Sequence, residues 1–158
     1  MKHKIKLLIT DVDGVMTDGG MYFTSKGDEM KRFSARDGFA VSICREHGID
    51  YGIISAGHSS TLVEARAAVL NIEHVYVGKS PKLQVLKGWM KKMNLSAEQV
   101  AYIGDDITDI DVMKTVGLSA CPADAVKSVK AIADIVLNTN GGYGCIREFV
   151  EEHLVMLH

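Results

Sequence analysis

Leu7-Leu8-Ile9-Thr10-Asp11-Val12-Asp13-Gly14-Val15-Met16-Thr17-Asp18-Gly19 is the stretch that decides how this chain folds. The apolar run from Lys4 to Ile9 that leads into it is too short for a helix and predicts a buried parallel strand ending on two acids. Ligands of an open α/β sheet gather at the carboxyl ends of its strands, so acids there are placed for chemistry. Side chains of an extended chain repeat every two residues, which puts Asp11 and Asp13 on one face, and Gly14 lets the backbone turn away. Adjacent carboxylates raise each other's pKa, so the pair calls for a cation or a shared proton, and magnesium is the expected cation. Taken alone, Asp-Val-Asp-Gly is also what a solvated turn looks like.

The 158 residues are 47% hydrophobic, which suits one compact domain over residues 1–158 with a sizeable core. A net charge of -2 offers no basic surface for nucleic acid. No apolar run approaches the roughly 20 residues of a membrane span. The positively charged start, Met1 to Lys6, is followed by an apolar run that stops at Asp11, so it does not read as a signal segment. Cys44, Cys121 and Cys145 lack metal-ligand spacing and read as reduced, buried thiols of a cytoplasmic protein.

Outward from the first strand, two β-prone runs flank a glycine-containing turn and predict a hairpin over about residues 20–34. Asp37 is placed as the N-cap of a helix that buries Phe39, Val41, Ile43 and Cys44 and stops at Gly48. Strands are expected at Ile49 to Ile54, His74 to Val77, Val100 to Ile103, Leu118 to Cys121 and Ile135 to Leu137. Helices are expected at Thr61 to Leu70 (packing through Leu62, Ala65, Val69 and Leu70), from Pro81 through Met93, and at Asp109 to Thr115, Asp124 to Ala131 and Ile146 to Met156. Ser96-x-x-Gln99 runs straight into a strand and is read as a loop. Strict alternation of strand and helix predicts a three-layer α/β/α, Rossmann-like parallel sheet.

Three further stretches carry reactive groups: Ser55 at the end of the strand through Ile53-Ile54, Lys82 after Ser80-Pro81 at the start of a helical pattern, and Asp105, Asp106 and Asp109 at the end of the strand from Val100. Alone, Ser55 reads as a helix cap and Lys82 as a solvated lysine. In order, Asp11-x-Asp13-Gly14, Ser55, Lys82 and Gly104-Asp105-Asp106-x-x-Asp109 resemble the four motifs of the haloacid dehalogenase superfamily of phosphotransferases. The resemblance implies that Asp11 is the nucleophile and becomes an aspartyl phosphate. Asp13 would protonate the leaving oxygen and later take a proton from water. Asp11, Asp105 and the Asp13 main-chain carbonyl would hold Mg2+, with Asp106 and Asp109 supporting the ion from outside or capping the next helix. Ser55 and Lys82 would bind phosphoryl oxygens.

Many members of the superfamily carry a cap domain, for which this chain has no space. The Gly20 to Ser34 hairpin, Arg36-Asp37-Gly38 and Gly141-Gly142-x-Gly144-x-x-Arg147-Glu148 resemble the capless 3-deoxy-D-manno-octulosonate 8-phosphate (KDO 8-phosphate) phosphatase family. That likeness implies a homotetramer with sites between subunits, acting in lipopolysaccharide sugar synthesis. Arg66 would reach the sugar acid in a neighbour's site, and Gly57, His58 and Arg147 would also contact substrate. The second motif departs from the family's Thr-Gly-Arg, reading Ser55-Ala56-Gly57-His58. Nine-carbon keto-deoxy sugar acid phosphates therefore stand as the alternative substrate class. Two further readings are a non-catalytic oligomerisation domain of the same fold, which predicts a damaged constellation, and a flavodoxin-like phosphoacceptor regulator.

Overall fold

A computed structural model describes residues 5–156. The predicted strand start at Lys4 lies outside them. After β1 (Leu7–Thr10) comes the hairpin of β2 (Tyr22–Phe23) and β3 (Glu29–Met30). Then follow α1 (Ala35–Glu46), β4 (Asp50–Ser55), α2 (Ser60–Val69), β5 (His74–Val77), α3 (Lys82–Met93) and β6 (Val100–Ile103). The order closes with α4 (Ile110–Thr115), β7 (Leu118–Cys121), α5 (Lys127–Lys130), β8 (Ile135–Val136) and α6 (Cys145–Phe149). Outside the hairpin, every strand pairs parallel with its neighbours in the order β5-β4-β1-β6-β7-β8. The chain winds one way from β1 through β4 to β5 and the other way from β6 to β8. The switch point, where ligands bind in such sheets, therefore lies beside the carboxyl end of β1.

Burial explains why β1 holds the centre. Leu7 and Ile9 face one layer with Leu86, Val112 and Val129, whereas Leu8 faces the other with Val41, Cys44, Val63 and Phe149. A strand apolar on both faces is stable only when helices cover both, which gives the predicted three layers. The three cysteines are buried and free, and burial raises each thiol's pKa. Among the described residues, no helix is long and apolar enough to cross a membrane.

Several local expectations are corrected. Ser34, not Asp37, caps α1 by accepting the Asp37 N–H. The buried Asp37 instead accepts the Arg147 N–H at 3.0 Å, at the start of α6. Phe39 lies on the outer side of α1, 58% exposed. On α2 it is Val63 and Ala67, four residues apart, that face the sheet, while Val69 is 71% exposed. Ser96-x-x-Gln99 is a capped 3₁₀ turn rather than a loop, with the Ser96 N–H donating to Gln99 Oε1 at 3.0 Å. Pro81 stands just before α3, not in its first turn.

The helix expected from Asp124 shrinks to the one turn of α5. Asp124 is taken by the Gly141 N–H, and the Val126 N–H is taken by the Asp105 carbonyl. The closing helix widens after Phe149 and ends by Leu154.

The hairpin forms as expected, but its strands are two residues long. Phe33 turns in to pack on the core, while Met21, Phe23 and Met30 stand more than half exposed. Arg32 fastens the hairpin to the glycine-rich loop after β8, donating to the Gly142 carbonyl at 2.8 Å with its guanidinium 4.4 Å from the Tyr143 ring.

Candidate active site

A cleft of 170 Å³ opens at the switch point, with walls from the ends of β1, β4 and β6 and from the start of α3. Asp11, Asp13, Ser55, Lys82, Asp105 and Asp106 all line it, so the sequence-predicted motif residues converge. The bend that delivers Asp11 is set by Gly14. Its φ is +88°, and a Cβ there would stand 1.9 Å from Asp105 Oδ2, so a larger side chain is excluded by backbone and by space. The Asp11 carboxylate accepts the Val12 N–H at 2.7 Å.

Charge is concentrated differently from the expected Asp11–Asp13 strand pair. The backbone leaves the strand after Thr10, and Asp13 turns its carboxylate to Lys31, 2.7 Å away. Asp11 has Asp105 and Asp109 as its acidic neighbours; one carboxylate oxygen from each of the three lies within 4.8 Å of the others. Burial, reinforced by Asp109 and opposed by Lys82, pushes Asp11 up to about 6. Burial together with the Asp11 and Asp109 charges pushes Asp105 up to about 8. Its Oδ1 is buried without a hydrogen-bond partner. An orphaned carboxylate oxygen in an acid cluster fits a divalent cation with oxygen ligands.

Asp109 belongs to that cluster yet is saturated. Lys82 Nζ at 2.7 Å and the Tyr102 hydroxyl at 2.5 Å share its Oδ1, and the Asp105 and Asp106 N–H groups share its Oδ2 at 3.0 and 3.2 Å. With all four acceptor positions used, Asp109 orients Lys82 and the Asp105 turn and has no oxygen left for a metal. Lys82 bridges Asp109 and Asp11, 3.0 Å from Asp11 Oδ1. Burial disfavours the Lys82 charge, but the two carboxylates outweigh it and its pKa is raised. Asp106 is exposed and caps the turn after β6 by accepting the Ile107 N–H at 2.7 Å. Ser55 Oγ accepts the Gly57 N–H at 3.1 Å and is buried at the end of β4.

The expected sugar contacts are more scattered. Gly57 forms part of the cleft wall, where a Cβ would touch Asp13 Oδ2 at 3.3 Å. His58 is exposed on the next residue and lies outside that wall. Arg66 packs over the Phe33 ring and donates to the Ser34 carbonyl at 3.4 Å, away from the chain's own cleft. Arg147 pairs with Glu151 at 2.5 Å and lines a separate 470 Å³ groove. Sequence reasoning missed Tyr102 and Lys31. Tyr102 reads simply as core in an apolar strand; the alternation Glu29-x-Lys31, which puts two opposite charges on one strand face, was the available signal for Lys31.

A sequence model of the haloacid dehalogenase-like hydrolases matches residues 59–148. The chain is 43% identical over 146 residues to the 3-deoxy-D-manno-octulosonate 8-phosphate phosphatase of Salmonella typhi, covering 92% of this chain and 77% of that one. The crystal structure of the corresponding Yersinia pestis phosphatase superposes with a TM-score of 0.93 at 41% identity, over 99% of this chain and 83% of that one. The Moraxella catarrhalis phosphatase, solved with magnesium, phosphate and KDO, gives 0.91 at 34% identity over 96% and 86% of the two chains. The central parallel sheet of this chain is thus the fold of those solved structures, and the chain belongs to the haloacid dehalogenase-like hydrolases, within the 3-deoxy-D-manno-octulosonate 8-phosphate phosphatase family.

Proposed function

We propose that this cleft hydrolyses the phosphate ester of a keto-deoxy sugar acid, 3-deoxy-D-manno-octulosonate 8-phosphate, in the cytoplasmic synthesis of the lipopolysaccharide sugar. The observation that carries the reading is the undamaged constellation of Asp11, Asp13, Lys82 and Asp105 around one cleft, in a chain 43% identical to such a phosphatase. A decayed oligomerisation domain would have no reason to keep it.

Asp11 attacks phosphorus as its P–O bond to the sugar breaks, giving an aspartyl phosphate. Asp13 gives its proton to the leaving sugar oxygen. A water then attacks the acyl phosphate, Asp13 takes that water's proton, and Asp11 is released with inorganic phosphate. Lys82 and Ser55 hold phosphoryl oxygens, and Asp109 fixes Lys82 against Asp11. Asp11, Asp105 and the Asp13 main-chain carbonyl are the residues to hold Mg2+, which fits the unpartnered Asp105 Oδ1. When bound, the ion neutralises charge on the phosphoryl group and so lets an anion enter an acidic cleft.

The proposal extends to assembly. Residues 1–158 act as one catalytic domain in a homotetramer, in which the exposed Met21, Phe23 and Met30 of the hairpin are covered by neighbouring copies. Arg66 and Arg147, both remote from their own cleft, serve the substrate carboxylate at a neighbour's site, with Gly57 and His58 at the rim. The experiment is a panel of phosphorylated sugar acids with magnesium, reading free phosphate. Preference for the eight-carbon acid is expected; preference for a nine-carbon acid would reassign the substrate, and no release from any member would remove the phosphatase reading.

A further inference from the structure

Lys31 belongs to none of the motifs and follows directly on β3 of the hairpin. Its Nζ stands 2.7 Å from Asp13 Oδ1 and 3.3 Å from Glu29 Oε1, and its side chain is only 8% exposed although the hairpin is a surface feature. Burying a lysine costs hydration and rotamer freedom, and these two carboxylates are what make it tolerable. Glu29 in turn accepts the Ser59 hydroxyl from the loop after β4. The links Ser59–Glu29–Lys31–Asp13 tie the hairpin to both rims of the cleft. Among the described residues, Lys31 is the only group that hydrogen-bonds the Asp13 carboxylate.

The two oxygens of Asp13 are thereby made different. Oδ1 is held by the ammonium, while Oδ2 faces Gly57 in the cleft wall, the position whose Cβ would approach it to 3.3 Å. We propose that Lys31 is a positioning residue, which fixes Asp13 through Oδ1 so that Oδ2 carries the transferred proton to and from the reacting oxygens. The inference rests on the reading of Asp13 as proton donor and acceptor. In the first displacement the P–O bond to the sugar breaks, the Asp11–P bond forms, and the Oδ2 proton passes to the sugar oxygen. In the second, water's oxygen bonds phosphorus, its proton goes to Oδ2, and the Asp11–P bond breaks. Neither step needs a further reactant.

The test compares wild type with Lys31→Met and Lys31→Arg as full-length protein with magnesium, on two esters. 3-Deoxy-D-manno-octulosonate 8-phosphate has an alkoxide leaving group that needs a proton; p-nitrophenyl phosphate does not. Misplacing a general acid forfeits part of the roughly 10²–10⁴-fold such catalysis supplies. Lys31→Met is therefore expected to lower kcat on the sugar phosphate by about tenfold or more with KM nearly unchanged. The first-turnover burst of p-nitrophenolate should keep its rate within about threefold, and Lys31→Arg should recover much of the loss. Equal losses on the burst and on the sugar phosphate, a loss confined to KM, or no loss at all would each overturn the inference while leaving the phosphatase reading intact. A wild type inactive on both esters would overturn that reading and the inference with it.

Discussion

The Tyr102 hydroxyl donates to Asp109 Oδ1 at 2.5 Å, and both residues are fully buried seven positions apart, one in β6 and one in the turn that follows it. Asp109 lies beneath the cleft, its side chain kept in place by four donors. Tyr102→Phe removes one donor and leaves a buried carboxylate partly unsatisfied. A loss of about 1–3 kcal/mol in urea unfolding is expected, with lower turnover because Lys82 loses its fixed counter-charge. Unchanged stability would mean that Asp109 does not depend on Tyr102.

Asp11→Asn keeps the side chain's shape and removes the nucleophile. Turnover should fall by at least about 10³-fold. Stability should hold or rise, since one carboxylate leaves a crowded acidic cluster. Turnover near wild type would exclude a covalent intermediate on Asp11.

Metal and pH are linked through Asp11 and Asp105. Both are pushed above the usual carboxylate value of 3.8, to about 6 and about 8. In metal-free protein the folded state therefore holds protons that the unfolded chain has already released. These groups cost stability progressively as pH rises from about 4 to about 8, and the cost levels off above that. Mg2+ displaces the protons, so the gain in Tm on adding it should grow between pH 6 and pH 8, and proton release should appear in calorimetry across buffers of different ionisation enthalpy. A magnesium-induced gain that shrinks with rising pH would contradict the assignment of Asp11 and Asp105 as ligands.

Phe23→Asp places a charge in the exposed apolar face of the hairpin, where Phe23 is 58% exposed. If the hairpin holds the proposed tetramer together, sedimentation at micromolar concentration should show wild type as a tetramer and the variant as smaller species, with sugar-phosphate activity lost alongside. A fully active wild-type monomer would rule out the tetramer.

Arg66→Ala should lower kcat/KM on the keto-acid substrate by about tenfold or more, the range expected when a charged hydrogen-bond partner is lost, and far less on an aryl phosphate. Equal losses would assign Arg66 to structure, through its packing on Phe33 and Ser34.

The sheet and the motif residues were legible because each rests on a local rule. Leu7 to Ile9 could not be buried on both faces without helices, and Asp11, Ser55, Lys82 and Asp105 each stand at the end of an element that the pattern places. Side-chain partnership across distant elements was not legible. Asp37 looks like a local cap by position, yet it serves α6 from 110 residues away. Asp13 looks like a strand partner of Asp11, yet its counter-charge comes from a hairpin whose reach depends on tertiary packing. The periodicity of α2 left its rotation ambiguous by one position, because Leu62 and Val63 are both apolar and only the sheet decides between them.

The glycine-rich loop closes over the nucleophile's turn: the Gly142 N–H donates to the Val15 carbonyl at 3.0 Å, and a Cβ at Gly141 would stand 1.8 Å from the Gly14 carbonyl oxygen. The first-made segment of the cleft is thus clamped by one of the last. During synthesis Asp11 emerges early, with an unfinished wall beside it until residues near 142 have left the ribosome. Nascent chains arrested with only residues 1–137 exposed are expected to be protease-sensitive around Asp11, with protection arriving once the loop and the buried Ile146, Phe149 and Val150 that follow it are free. Protection of the nucleophile's turn is in this sense a report that the closing loop has been made and has docked.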